Sequence, residues 1–450
     1  MSPSPQATTM AGYDLVADAK QAAPRLGVAW ALVALAVAAN LLFGGFIYGW
    51  ASILLFLQGE HQYASLCAVD SVIDSVTHTC VAQDNRLNVI FGAAQVTFTI
   101  SSLPIGMLLD RFGPTVLTAC GGVASTLGVL LFAISNASEF DAFLPAYILT
   151  ALGGMATLLV GFQTGFVLPS WQTVILAGIN CTFDASAVLP TVLYAIHDAS
   201  GASRRTLLIV YACLAAVTYS VWTFLWWKHR SEPMAAAQEL QDDDDGEAPV
   251  EAAILASAPL SFQLRSFEFR YLLLFTIIHS FHNAFYFGSI NRTLAKYDDA
   301  THVYTKVFGW VLPVGFIYIP LINSVIERQG LGTSMLLTNF LCMVAYGIAF
   351  IPSLPPQVVA FVLFVGFRGF FYANNTAFAA QVFGHMHMGT VIGITYAVSG
   401  LLALLEVPAA SLANASDEGW YAMYGTALGL CVLLLPCTEV YRRHAKGTSQ

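Results

Sequence analysis

Gly106-Met107-Leu108-Leu109-Asp110-Arg111-Phe112-Gly113, followed by Pro114, sets one charged pair between two long apolar runs, 87–109 and 115–134. In water such a segment is an ordinary turn. Each flanking run, however, is long enough to cross about 30 Å of hydrocarbon. The segment is therefore a tight hairpin at a bilayer surface.

Composition agrees with this reading. The chain is 57% apolar and 10% charged, against about 25% charged in soluble domains. A polytopic, all-α membrane protein follows. Nearly half of the net charge of −9 comes from one run, 242–245, and no basic stretch points to nucleic acid. The first apolar run, 26–57, is too long for a signal peptide and is expected to be the first span. No nucleotide fingerprint, Walker motif or metal-ligand spacing is present, so neither an enzyme, a cofactor, a resident metal nor ATP-driven transport is expected. Six of the eight cysteines fall in apolar runs, where a thiol acts as a small hydrophobe. Cys67 and Cys80 share the polar loop after the first span, where a disulfide and two free thiols both stay open.

Twelve spans are expected, near 26–57, 87–109, 114–135, 142–168, 171–196, 204–227, 268–290, 303–326, 331–352, 356–382, 389–411 and 419–440. They divide into an N-terminal segment (1–25), a first six-helix half (26–227), a linker (228–267) expected to lack structure, a second half (268–440) and a tail (441–450). With the N-terminus inside, eleven Lys and Arg lie on inner segments and six on outer ones, which puts both termini in the cytoplasm. Sequons at Asn136, Asn291 and Asn414 fall at expected outer loops, while those at Asn180 and Asn374 fall inside spans.

The opening hairpin has an echo. Asn323-Ser-Val-Ile-Glu327-Arg328-Gln-Gly330 repeats the acidic-Arg-x-Gly pattern 217 residues later, between the second and third spans of its half. A weaker match joins the first spans of the halves, around Asn40 and Asn283. Two like halves are the plan of many secondary transporters, with the site at their interface near the midplane.

A polar group in lipid must face a cavity or a partner. Arg368, Tyr372 and Asn375 share one face of span ten. A guanidinium there either holds a substrate carboxylate or completes a structural ion pair. Asp184, on one face of span five with Asn180, is its obvious partner. It also suits a substrate ammonium or a proton. His279, His282, Asn283 and Tyr286 form a stripe in span seven that lines a cavity or joins helices. Glu406 and His282 are candidates for a coupling proton. Asn40, Phe43 and Tyr48, with Gly44 and Gly45, mark span one for close packing or local unwinding. Gln163 is a further cavity candidate.

The 106–113 block resembles the signature between spans two and three of the major facilitator superfamily, although Pro114 and Thr115 stand where basic residues usually follow. The resemblance implies that Asp110 meets the start of span eleven and stabilises the outward-open state. It also implies that Gly106 permits close approach, with Arg111, Gly113, Glu327 and Arg328 completing the gates. Asn40 to Trp50, Phe183-Asp184-Ala-Ser, Phe285-Tyr286-Phe-Gly, Arg368-Gly-Phe-Phe and Val382-Phe-Gly resemble solute carrier family 43. That family comprises facilitators of large neutral amino acids, one branch moving purine nucleobases. His282 stands where the family carries Arg, and Glu406 where it carries Gln. Both changes leave room for a cationic substrate or for proton linkage. The expected function is facilitative transport of a small molecule, an amino acid, at the plasma membrane. A purine nucleobase facilitator, a proton-coupled importer and a non-transporting sensor remain as alternatives. Membrane lipid is the expected surrounding, and the sequence is silent on oligomeric state.

Overall fold

The computed structural model describes residues 26–67, 80–230, 255–299 and 303–447. Among these the chain is helical, with no strand beyond one isolated pairing of Asn136 with Phe140. Lipid offers no partner to a backbone N–H or C=O, so helices that satisfy themselves are the form expected of apolar windows.

Nine helices among the described residues are long and apolar enough to cross a membrane. Three further crossings have physical reasons for escaping that count. The helix Ala82–Ile134 has 53 residues, about 80 Å at 1.5 Å per residue, far more than one bilayer. Its one non-helical residue, Gly113 (φ 77°, ψ 173°), turns it back on itself. Val303–Val311 and Val314–Gln329 are one span bent by 52°. Phe267–Lys296 is a 30-residue helix whose polar stripe dilutes its apolar character. Each of the twelve expected spans thus falls on a helix. They are α1 (Leu26–Gly59), α2 (82–112), α3 (114–134), α4 (Phe143–Phe166), α5 (Pro169–Ser200) and α6 (Arg204–His229) in the first set. The second set is α7 (Phe267–Lys296), α8 (303–329), α9 (Leu331–Ile348), α10 (Leu354–Phe383), α11 (Met388–Ala413) and α12 (Asp417–His444).

The echo seen in the sequence is also an echo in backbone. Gly330 (φ 81°, ψ 163°) ends α8 as Gly113 ends α2. That region of conformational space is open to glycine almost alone. Both turns lie on one face of the molecule, here termed the Gly113 face.

α1 is interrupted. Its helix opens into a π turn at Asn40–Gly44 and a 3₁₀ turn at Phe46–Gly49, and Gly45 packs closely on α5, so both roles open to the glycines, packing and local unwinding, are seen. The released carbonyls find side chains instead. The Tyr147 hydroxyl donates to Ile47 O at 2.9 Å, and the Tyr211 hydroxyl donates to Leu42 O. On the face opposite Gly113, Arg204 draws the first set together. It pairs with Glu60 at 2.9 Å and donates to the carbonyls of Phe132 and Ser135. Cys67 and Cys80 are disulfide-bonded on the same face.

Two expectations need correction. Residues 255–266 of the linker are not structureless: Leu260–Gln263 is a short helix, and the buried Gln263 donates to the carbonyls of Leu255 and Phe383. The acidic run 242–245 lies outside the described residues. Asn291 is not in a loop but in the last turns of α7, where it is exposed.

Candidate functional site

The two helix sets meet along α2 with α11, and along α5 with α8 and α10. At the centre stands one ion pair. Arg368 Nη2 donates to Asp184 Oδ2 at 3.1 Å. Arg368 is the fifteenth residue of the 30 in α10, and Asp184 the sixteenth of the 32 in α5. Each charge therefore sits at the middle of its helix, near the bilayer midplane.

The pair is partly accessible, with 16% of the Arg368 side chain and 35% of the Asp184 side chain exposed. It borders a narrow recess, with about 20 Å³ of water-accessible space, shared by Cys181, Leu312, Phe316 and Val365. The guanidinium lies 5.0 Å from the Phe287 ring centre, a favourable face for a cation. Its Nε is buried and has no hydrogen-bond partner among the described residues. Polar groups with capacity to spare gather nearby. Asn283 donates to the Tyr372 hydroxyl at 3.3 Å, leaving Asn283 Oδ1 without a partner. Tyr48 and Tyr396 stand within electrostatic reach of Asp184 and Tyr372, and the Tyr396 hydroxyl is unpartnered. Tyr48 is 41% exposed although its ring rests on Phe98 and Phe183 in mid-bundle. Its exposure is to an internal space.

Other polar contacts seal the sets together on the Gly113 side of this pair. Asn180 donates to Thr376 Oγ1 at 3.1 Å, and Ser102 donates to Gly393 O at 3.0 Å. Farthest along, Asp110 accepts from the backbone N–H groups of Gly389 (2.9 Å) and Thr390 (2.7 Å). A carboxylate at the N-terminus of α11 satisfies two donors the helix itself cannot. The helices approach closely there, since a Cβ on Gly106 would lie 2.0 Å from Gly389 O. Arg111 is exposed beside Phe112, and Glu327 and Arg328 are exposed as well.

The remaining candidates divide. The span-seven stripe does not face one cavity: of its four residues, Asn283 reaches the Tyr372 group. His279, His282 and Tyr286 are fully buried inside the second set. Tyr286 stacks on Phe364 at 3.9 Å. Phe43 is likewise enclosed, between Tyr211 and Tyr219. Asn40 is buried and donates to Ala36 O at 2.9 Å and Thr157 O at 3.4 Å, both within the first set. Asn375 accepts from Thr276 at 2.8 Å. Gln163 is half-buried at the Gly113 end of α4, and Glu406 lies against Gly288 rather than beside Arg368. At the sequons, Asn136 caps its own turn through Ser138 and Asn374 is buried. The side chain of Asn414 lies outside the described residues. Sequence reasoning missed Tyr396, Thr376 and Ser102. Tyr396 alone left a signal, as the one tyrosine in α11.

Two helix sets meeting around a central, partly accessible ion pair have the fold of a major facilitator protein. The solved structure of the major facilitator proton:xylose symporter XylE, bound to 6-bromo-6-deoxy-D-glucose, superposes with a TM-score of 0.60 at 12% identity, covering 91% of this chain and 95% of that one. No family model matches. Curated relatives narrow the resemblance to the solute carrier family 43 kind. The equilibrative nucleobase transporter 1 of Bos taurus is 24% identical over 81% of this chain and 86% of its own. The large neutral amino acids transporter small subunit 3 of Homo sapiens is 24% identical over 92% and 93%. Amino acid transporter 6-1 of Toxoplasma gondii is 22% identical over 81% and 70%. The chain is an integral, multi-pass membrane protein of that fold.

Proposed function

We propose that the protein moves amino acids across the plasma membrane by facilitative alternating access, binding them at the Arg368–Asp184 pair. Arg368 receives the substrate carboxylate and Asp184 its ammonium group. Each side chain then exchanges its protein partner for a substrate partner of the same sign. This matters at the midplane, where an unpaired charge is costly. The carrying observation is the pair itself, central, partly accessible and with Arg368 Nε unspent. Tyr48, Tyr372 and Tyr396 lie within electrostatic reach of the pair, and Asn283 donates to the Tyr372 hydroxyl. The names of the human and Toxoplasma relatives support an amino acid, and the human one a large neutral one.

In this reading residues 26–227 and 268–440 rock against each other, with the termini and residues 228–267 cytoplasmic. The Gly113 face is then cytoplasmic and the structure is closed on that side. The excess of Lys and Arg on these segments supports that orientation.

Uptake into proteoliposomes of labelled leucine, with unlabelled leucine, arginine and adenine as competitors, tests the proposal. Amino acids should compete, and Arg368→Lys should abolish uptake, because a point charge does not reproduce the paired donors of a guanidinium. Competition by adenine alone would favour a nucleobase, in keeping with the bovine relative. Uptake that collapses with a protonophore would remove the facilitative reading.

A further inference from the structure

The second helix set holds a cluster that transport leaves unused. His279 and His282 of α7 and Cys342 of α9 are fully buried, and their ligand-type atoms all lie within 4.8 Å of one another. Cys431 of α12 adds a fourth group. Its Sγ is 3.3 Å from His282 Nε2 and within hydrogen-bond reach of the Cys342 thiol. Both ring nitrogens of His279 are buried without a hydrogen-bond partner among the described residues. A neutral imidazole that satisfies neither its donor nor its acceptor in an apolar interior carries a penalty of a few kcal/mol. Around it stand only rings, Phe275 at 4.5 Å, Phe367 at 5.2 Å and Phe371 at 5.8 Å. Among the described residues no side chain hydrogen-bonds to it.

We propose that His279, His282, Cys342 and Cys431 bind one zinc ion and that this site staples α7, α9 and α12. Two imidazoles and two thiolates are a closed tetrahedral donor set for this ion. In such a site neighbouring ligand atoms are roughly 3.3–3.8 Å apart; the His279, His282 and Cys342 atoms, within 4.8 Å of one another, draw in by side-chain rotation, and Cys431 joins from the side of His282 and Cys342. His282 Nδ1 lies 2.6 Å from Ile278 O and Nε2 lies 2.8 Å from Ala427 O, so with Nδ1 donating to Ile278 O, ligation through Nε2 replaces the Ala427 contact. On binding, the two thiols give up their protons to solvent and the four ligand bonds form. Two thiolates cancel the charge of the ion. The complex is then neutral, as a site enclosed by hydrocarbon requires. All four ligands come from protein and none is exposed. No position is open for catalysis or release, and the ion is structural rather than cargo.

The test uses the full chain, produced with zinc supplied and purified in detergent without a metal-affinity step. Elemental mass spectrometry should find about one zinc per chain. It should fall at least fivefold in Cys342→Ser, while Cys120→Ser, altering an exposed cysteine, leaves it unchanged. Should Cys342→Ser fail to accumulate, the unmodified chain produced with cobalt decides. Tetrahedral thiolate ligation gives intense near-ultraviolet charge-transfer bands together with visible bands. Wild-type protein with under about 0.1 metal per chain and no such bands overturns the site. So does a peptide map that finds Cys342 joined to Cys431 as a disulfide. Neither readout depends on which solute is transported.

Discussion

Gly113 and Gly330 end the second helix of each set with nearly the same backbone, φ/ψ of 77°/173° and 81°/163°. The acidic residues three positions before them meet different surroundings. Asp110 reaches across to the other set and accepts two N–H groups at the start of α11. Glu327 is exposed and has no hydrogen bond or ion pair among the described residues. The glycine is a local demand of the turn, so both copies keep it. The latch needs the donors of a helix N-terminus, and among the described residues only the Asp110 copy is bonded to them. The halves are alike as hairpins and unlike as gates.

Five substitutions can break or sharpen that contrast. Gly106→Leu should have the largest effect. Its Cβ would stand 2.0 Å from a backbone oxygen of α11, so the sets cannot close, and uptake per molecule at the membrane should fall below about a tenth. Asp110→Asn comes next. Hydrogen bonds to a charged group contribute about 1.5–3 kcal/mol, so losing that charge should shift the balance toward the state open on the Gly113 face by roughly tenfold. Uptake should slow with substrate affinity retained, and alkylation of Cys181 from that face should speed up. A large loss of affinity with unchanged turnover would remove the latch. Gly330→Ala should act on stability, by about 1–3 kcal/mol, read as a lower thermal midpoint in detergent. Gly113→Ala should match it. Glu327→Gln should change uptake by less than about twofold. If it proves as damaging as Asp110→Asn, the asymmetry between the gates is wrong.

The same division separates what the sequence reveals from what it hides. Spans and hairpins are written locally, in apolar windows and in a glycine that few other residues can replace. Arg368 and Asp184 stood out because charges at the middle of spans are rare and each needs a partner. The facing of a mostly apolar helix is harder to read. His279, His282, Asn283 and Tyr286 look like one stripe in α7, but polar residues on more than one side of that helix leave little amphipathic signal to orient it. Only Asn283 reaches the Arg368 chamber. The His–Cys cluster was invisible for another reason. Its residues come from three helices, with no ligand spacing in the chain, and only packing brings them together. Tyr396 and Thr376 gained their place in the same way.

The interruption of α1 has a mechanical consequence. A helix broken at residues 40–49 would ordinarily be a soft joint. Here the freed carbonyls are held by tyrosines of α4 and α6, and Gly45 fits so closely against the Phe183 carbonyl that a Cβ would lie 2.3 Å from it. The joint is welded to three neighbours. Leverage applied at either end of α1 passes through the whole first set instead of bending the helix. The compliance that alternating access needs must then lie where the two sets touch, at contacts of the Asp110 and Asn180 kind that can be released and remade.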